Sequence, residues 1–515
     1  MPISQPDITL NIIPATSTIS NEPQKVLFIG QKVSGGTATA GALTANIGNS
    51  GEEDGLFGAT SMLAQMVRRA RGINGVTRFD AIALDDNAGG TAATGTIAFS
   101  GTATATGTLT VSIGSGYNYA LSITVTSGDS ATTVGDALET AVNALTDAPF
   151  TSSNSTGTVT ITSVHKGEFG NNVGYKVEGS VAGITTALTL PTNGATNPSL
   201  TSIFDVIDSE RYQTIVWPET YTLSTLTTEL DARFNVTNDV LDGVGIQTLS
   251  DTYANLITAS AAQNSRSLVL IGNKKLDDTP HKGGALLEFS DVISSEFAAI
   301  RSLRLTTNAN ISQYVISTNG AKDSYGGTAI ASLPYFNTPF ALLDLIDAGK
   351  GFTRVELEAI KTSGAMTLGN NITSTSIISG EAVTTRKTDS AGNAEATFKY
   401  LNAVDTSAAI REFYFNNLRS RFAQSRLTEG DLIPNRSMAN QEVIEAYLDS
   451  LYSILSGEDY VLTQAGATAQ KYFKDNRIVS LNLTTGTVTI TMQMPIVTQL
   501  RTIVSTMQIS FSTEG

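Results

Sequence analysis

Two runs of β-branched residues near the end of the chain carry its strongest pattern. Ile478, Leu481 and Leu483, then Val488, Ile490 and Met492, fall at near-alternate positions on either side of a Thr-Thr-Gly turn. That spacing predicts a β-hairpin. Pro495 breaks the second run, and the chain resumes with Leu500, Ile503, Val504, Met507, Ile509 and Phe511, where Arg501 is the one charge. An unguarded apolar strand recruits strands from other molecules unless it has an assigned partner. It either closes the subunit's own sheet or adds to that of another copy.

The remaining pattern divides the chain by period. Ile8, Leu10 and Ile12 alternate up to Pro14 and read as a second extended arm, while residues 25–30 (KVLFIG) and 79–84 read as short buried strands. Between them Leu56, Ala59, Met62, Leu63, Met66, Val67 and Ala70 recur at helical spacing, with Thr60 or Ser61 as cap. From 87 to 198 the composition shifts to Thr, Gly, Ser and Ala. Short strands are expected there at 96–99, 108–113, 121–126, 158–164 and 175–177, with one helix at 134–145.

From 200 to 319 strand and helix alternate. Strands are expected at 214–218, 267–272 and 314–318, and helices at 223–234, 252–263 and within 285–303, which implies an open, largely parallel α/β layer. Thr353 and Glu356 form a capping box that opens a helix to 363. Short strands near Met366 and at 381–386, then long helices at 408–426 and 439–455, complete an α+β pattern. The expected fold is therefore a mixed multidomain chain, part α/β and part α+β.

Composition narrows the function. At 515 residues with 41% hydrophobic and 15% charged residues, the chain is globular. A net charge of −15 argues against a broad nucleic-acid surface and favours a basic protein partner. No run approaches a membrane span, and the start has no signal-peptide pattern. Zero cysteines exclude disulfides, thiolate nucleophiles and Cys-ligated metals.

Candidate chemistry is thin. His165 and His281, the two histidines, lack a G-x-S-x-G context and read as turn or surface residues. The glycine spacing of a phosphate loop occurs at Gly36 and Gly41, but Ala42-Leu43 follow without the lysine. Acidic clusters at Glu52-Glu53-Asp54, Asp85-Asp86 and 389–395 lack calcium-loop order and read as solvated loops. Arg68, Arg69 and Arg71 suit a helix C-terminus. No catalytic constellation, metal set or cofactor cradle emerges, so a non-enzymatic role is expected.

Several stretches, in this order, carry a resemblance: FGATSMLAQMVRRAR (57–71), AATGTIAFSGTATATGTLTVSIGS (92–115), HKGEFGNNVGYKV (165–177), TIVWP (214–218), GFTRVELEAIKTSG (351–364), GEAVTTRKTDSAGNA (380–394) and KDNRIVSLNL (474–483). The chain resembles the contractile tail sheath proteins of bacteriophages, the Mu-like group in particular. The resemblance implies an inner core built from the chain ends and the C-terminal third, with insertions outside. It implies domains at 1–86 (N-terminal arm and part of the inner domains), 87–198 (inserted β-rich outer domain), 199–345 (α/β middle domain) and 346–515 (C-terminal α+β core with its arm). Ile8, Leu10 and Ile12, and Leu500 to Phe511 as named above, become arms. Ile478, Leu481, Leu483, Val488, Ile490 and Met492 become the receiving sheet of a neighbour.

The implied partners are further copies in stacked rings forming a helical polymer, the tail tube protein, and baseplate and tail terminator proteins. Neither direct nucleic-acid contact nor membrane insertion is implied. The implied place is the virion tail, after assembly in the host cytoplasm. Two other readings stay open: the sheath of a phage-derived injection particle, and a β-rich carbohydrate- or surface-binding protein. The latter would need aromatic platforms, yet Tyr117, Tyr119 and Phe150 are sparse and Trp217 lies elsewhere.

Overall fold

The structure, a computed structural model, describes residues 23–48, 50–115, 118–236, 239–275, 288–306, 335, 340, 351–370, 376–378, 380–433, 436–456 and 463–496. It is a mixed α/β chain. Eight strands form the largest sheet, in the order Ser376–Ile378, Ala365–Asn370, Leu268–Lys274, Val244–Asp251, Thr214–Val216, Lys25–Gln31, Arg78–Leu84 and Leu43–Thr44. The six central strands are parallel and the two outermost pair antiparallel. Because Ala365–Asn370 pairs with Leu268–Lys274, this sheet draws on residues either side of 345.

Alternate residues of the central strands serve opposite faces, as strand geometry requires. Val26, Phe28, Phe79, Val216, Ile246 and Ile271 pack under the helices Met62–Ile73 and Ser290–Thr306. Leu27, Ile29, Ile82, Ile215, Trp217 and Leu270 pack under Leu223–Phe234, Tyr253–Ala261 and Arg354–Ser363. The capping box of the last helix forms as its residues predict, and Gly364 ends it at φ +102°, a conformation that favours glycine.

Residues 92–189 form a β-rich body whose core is continuous with the one under helices Met62–Ile73 and Ser290–Thr306. One sheet orders Ile184–Thr189, Ala92–Gly101, Thr158–Lys166 and Phe150–Ser155; the other orders Tyr119–Val125, Gly107–Gly114 and Gly174–Glu178. The helix Ala131–Asn143 packs on both, and its Asn143 and Glu139 side chains bond the backbone of Ser152 and Asn154 along the edge strand Phe150–Ser155. That edge is closed by side chains, a protection edge strands need.

A third unit follows the helix Leu401–Phe422. It comprises Gln441–Leu455, Ala467–Asp475 and the hairpin Ile478–Asn482/Thr487–Thr491, around Phe413, Ile444, Leu448, Tyr452, Phe473 and Val479.

Several expectations need correction. The first long helix starts at Leu401, not 408, because Asn402, Asp405 and Thr406 are buried polar residues that blur its apolar stripe. The second starts at Gln441 behind the Asn440 cap. No regular strand spans 381–386; Val383 makes only an isolated bridge to Tyr400. Strands Val244–Asp251, Phe150–Ser155 and Ile184–Thr189 and helix Ala467–Asp475 were not anticipated. The expected strand at 314–318 lies outside the described residues.

Candidate assembly surface

The hairpin pairs Val479 with Ile490 and Leu481 with Val488, and a Gly486 at φ +68° serves the turn, where Asn482 Oδ1 accepts the N–H groups of Thr484 and Thr485 at 3.1 Å. Its inner face lies on the third core. Val479 is 4% exposed, with Leu481, Val488, Ile490 and Met492 packed partly against the same cluster. Ile478 and Leu483, expected on that face, are 65% and 45% exposed. Ile478 and Leu481 are three apart, so a period of two places Ile478 on the outer face, and Leu483 lies past the strand's last residue, Asn482. Val479 is the residue the reading missed, and counting back by two from Leu481 finds it.

Arg477 pins the first strand to helix Gln441–Leu455, through Asp449 at 2.6 Å and Glu445 at 3.3 Å. Under it Tyr452 and Phe473 stack with centroids 4.5 Å apart, and the Tyr452 hydroxyl donates to Gln464 O at 2.9 Å. Among the described residues no third strand joins this sheet, so both strands keep an outer row of unmatched backbone groups. An isolated two-stranded sheet is marginal in water, and further strands or packing must support it. Beyond the hairpin, Ile496 bridges to Thr463. Ile8, Leu10, Ile12, Leu500, Ile503, Val504, Met507, Ile509 and Phe511 lie outside the described residues, as does His281.

A buried charge network joins helix Leu401–Phe422 to the N-terminal ends of the parallel strands. Arg211 bonds Glu412 at 2.6 Å and Asp242 at 3.4 Å; Arg301 bonds Asp405 at 2.6 Å and donates to Gln213 O at 2.7 Å. Tyr335 donates its hydroxyl to the other Asp405 oxygen at 2.6 Å. Burial alone would lower the Arg301 pKa, but the Asp405 charge raises it above the usual arginine value. Arg266, stacked 3.6 Å from the Phe234 centroid, is pulled down to about 10 by burial. These bonds tie the helix to the sheet.

The opposite, C-terminal edge is where open α/β sheets hold ligands, at the point where strand order reverses. Here that point lies between Lys25–Gln31 and Thr214–Val216, and residues of the β-rich body fill it. Gln31 Nε2 donates to Asp86 Oδ1 at 2.7 Å and to Lys166 O at 2.8 Å, and Asn172 Nδ2 to Glu219 at 3.0 Å. Phe169 stacks on Phe289 at 5.3 Å.

His165 is neither a turn nor a surface residue. It is wholly buried in the strand Thr158–Lys166, its Nε2 accepts the Met62 N–H at 2.9 Å, and its Nδ1 therefore donates to Asp86 at 3.2 Å. Burial raises the Asp86 pKa, but the bonds from His165, Lys166 N and Gln31 outweigh it and hold the carboxyl below its usual value. With Ser61 Oγ accepting from Ala64 N, the histidine completes the cap of helix Met62–Ile73. Replacing it, as His165→Leu, is expected to cost about 2–4 kcal/mol in urea unfolding, because a buried N–H and a carboxylate lose partners together.

The other sequence clusters also have structural work. Arg68 pairs with Asp54, Arg69 with Glu288 and Glu296, and Arg71 donates to backbone carbonyls of Asn74, Thr77 and Ile47. Asp389 caps its own loop through Ala391 N and Asn393 N at 2.9 and 2.8 Å.

Glu219 and Asp291 are linked through the backbone: Glu219 accepts from Ser250 N, and its own N–H donates to Asp291 at 2.8 Å. Burial first, opposed by these bonds, pushes Glu219 up to about 8 and Asp291 up to about 6, from ordinary values of 4.5 and 3.8. The folded chain thus holds protons that the unfolded chain has released. The resulting stability is complete below about pH 4, where both states hold the protons, and is lost as pH rises from there to about 8. In thermal melts, Tm is expected to fall between about pH 4 and about pH 8, with the slope flattened by Glu219→Gln.

No family model matches the chain. The proteins to which it is similar include sheath proteins. In particular, the Mu-like prophage FluMu tail sheath protein of Haemophilus influenzae is 30% identical over 270 residues, covering 50% of this chain and 54% of that protein. The chain thus matches about half the length of this curated relative. Among solved structures, the sheath tail protein of Desulfitobacterium hafniense has a TM-score of 0.45 at 10% identity, over 95% of this chain and 99% of that one. The contracted helical sheath of the anti-feeding prophage has 0.44 at 11% identity, over 98% and 99%. The contracted sheath of the extracellular contractile injection system PVC has 0.44 at 9% identity, over 99% and 98%.

Proposed function

We propose that this chain is the structural subunit of a contractile phage tail sheath, polymerising as stacked rings around a tail tube and shortening to drive the tube through a host envelope. The observation that carries this reading is the hairpin Ile478–Asn482/Thr487–Thr491, seated on its own small core with both strands open to pairing among the described residues. The similarity to the FluMu sheath protein supports it. In this reading Ile8, Leu10 and Ile12 of one neighbour and Leu500, Ile503, Val504, Met507, Ile509 and Phe511 of another add strands to the hairpin, so that rings stay tethered as they slide.

The division of labour follows the same reading. In this reading residues 87–198 form the outer domain, 199–345 the middle domain, whose sheet also takes strands from 25–84 and 365–378, and the remainder of 346–515 and 1–86 supplies the inner core. Tube, baseplate and terminator proteins are the other partners, the assembled site is the virion tail, and assembly takes place in the host cytoplasm. Contraction needs two packings of near-rigid subunits with a free-energy gap between them, and no fuel. The buried network that ties helix Leu401–Phe422 to the sheet supports such rigidity. The aromatic residues of the β-rich body support this reading over glycan binding: Phe99, Phe150, Phe169 and Tyr175 are buried inside it. Electron microscopy of the purified full chain tests the proposal. Hollow tubes or stacked rings are expected; uniform monomers across conditions would overturn it.

A further inference from the structure

Four arginines at the far end of the third unit make no ion pair among the described residues, while Arg211, Arg301, Arg386 and Arg477 are all paired. Arg419 and Arg421 occupy the last turn of Leu401–Phe422; Arg426 pairs in parallel with Met438, two residues after Arg436. All four are exposed, and between Arg426 and Arg436 the chain presents Leu432 and Ile433 at 39% and 58% exposure. The same stretch carries Glu429 and Asp431, so residues 419–438 hold four cations and two carboxylates where the whole chain has 32 to 47. Exposed aliphatic residues flanked in the chain by arginines have the composition of a protein interface.

The complement lies on the same polypeptide. The turn Asp205–Ile207 presents Val206 at 38% exposure between the exposed carboxylates of Asp205 and Asp208, and neither carboxylate is in an ion pair among the described residues. Arg233 fixes the turn by donating to the carbonyls of Asp208 at 2.9 Å and Glu210 at 2.8 Å. We propose that the arginine-flanked Leu432 and Ile433 of one copy dock on Asp205, Val206 and Asp208 of a second copy. The two surfaces differ, so the contact is head-to-tail and builds a ring or a filament rather than a closed dimer. It deepens the sheath reading but requires only that copies of this chain associate.

Sedimentation and electron microscopy of the full chain test it. Arg421→Glu with Arg426→Glu is expected to raise the concentration needed for association by at least about tenfold, and Asp205→Arg with Asp208→Arg to do the same. Combining all four substitutions is expected to restore association. Melting curves matching wild type exclude misfolding, and Gln replaces Glu at 421 and 426 if they do not match. Association indifferent to either reversal, loss that the combination fails to restore, or no wild-type association at all would overturn the docking. Salt-sensitive oligomers that follow the charge swap without forming tubes would uphold it and sink the sheath reading alone.

Discussion

Deleting residues 500–515 is expected to leave a folded subunit that no longer polymerises. Among the described residues, each of the three cores is built from side chains between Val26 and Ile496. The melting temperature of the truncated protein should therefore stay near that of the full chain. What the deletion removes is a run rich in apolar and β-branched residues whose two charges are Arg501 and Glu514, suited to complete an open hairpin on another molecule. Loss of tubes with an unchanged melt is the predicted pair of results, read by electron microscopy and calorimetry. Undiminished tube formation would assign the segment to its own subunit.

The second large effect falls on Asp405. Its two oxygens accept from Arg301 at 2.6 Å and from Tyr335 at 2.6 Å, and it is 4% exposed. Asp405→Ala strands a buried guanidinium and a buried phenol together, and is expected to destabilise the chain by about 3–5 kcal/mol in denaturant unfolding. The exposed Lys471 and Asp475 pair provides the control: Asp475→Ala should change little, because a solvated i, i+4 pair contributes little. If the two substitutions cost the same, the network does not hold the helix to the sheet.

How much of this was legible in the sequence depends on where polar residues sit. Strands such as Lys25–Gln31 and Leu268–Lys274 announce themselves because both faces are buried and the runs are continuously apolar. Val244–Asp251 hides because Gln247 and Thr248 interrupt it, and both are buried by partners far away in sequence: Pro218 O for the amide and Ser294 for the hydroxyl. The early turns of Leu401–Phe422 hide for the same reason. The capping box at Thr353 was readable because it is local, with donor and acceptor three residues apart.

His165 shows the limit most clearly. Nothing next to it in sequence indicates a cap, because the helix it serves begins 103 residues earlier. In the hairpin the existence of both strands was plain, but the facing of Ile478 depended on where the alternation was counted from. Charge was legible only as a total. Which arginines are spent inside the fold and which are left outside is decided by contacts that composition does not contain.

The central claim is that the hairpin Ile478–Asn482/Thr487–Thr491 is completed by strands from other copies of the chain. A reconstruction of the assembled particle at side-chain resolution tests it most directly. The account predicts a strand from a neighbouring subunit hydrogen-bonded along each open side of the hairpin, one bearing Ile8, Leu10 and Ile12 and the other bearing Leu500 to Phe511. A hairpin whose sides are filled by its own subunit's termini, or are left bare in the polymer, would contradict it.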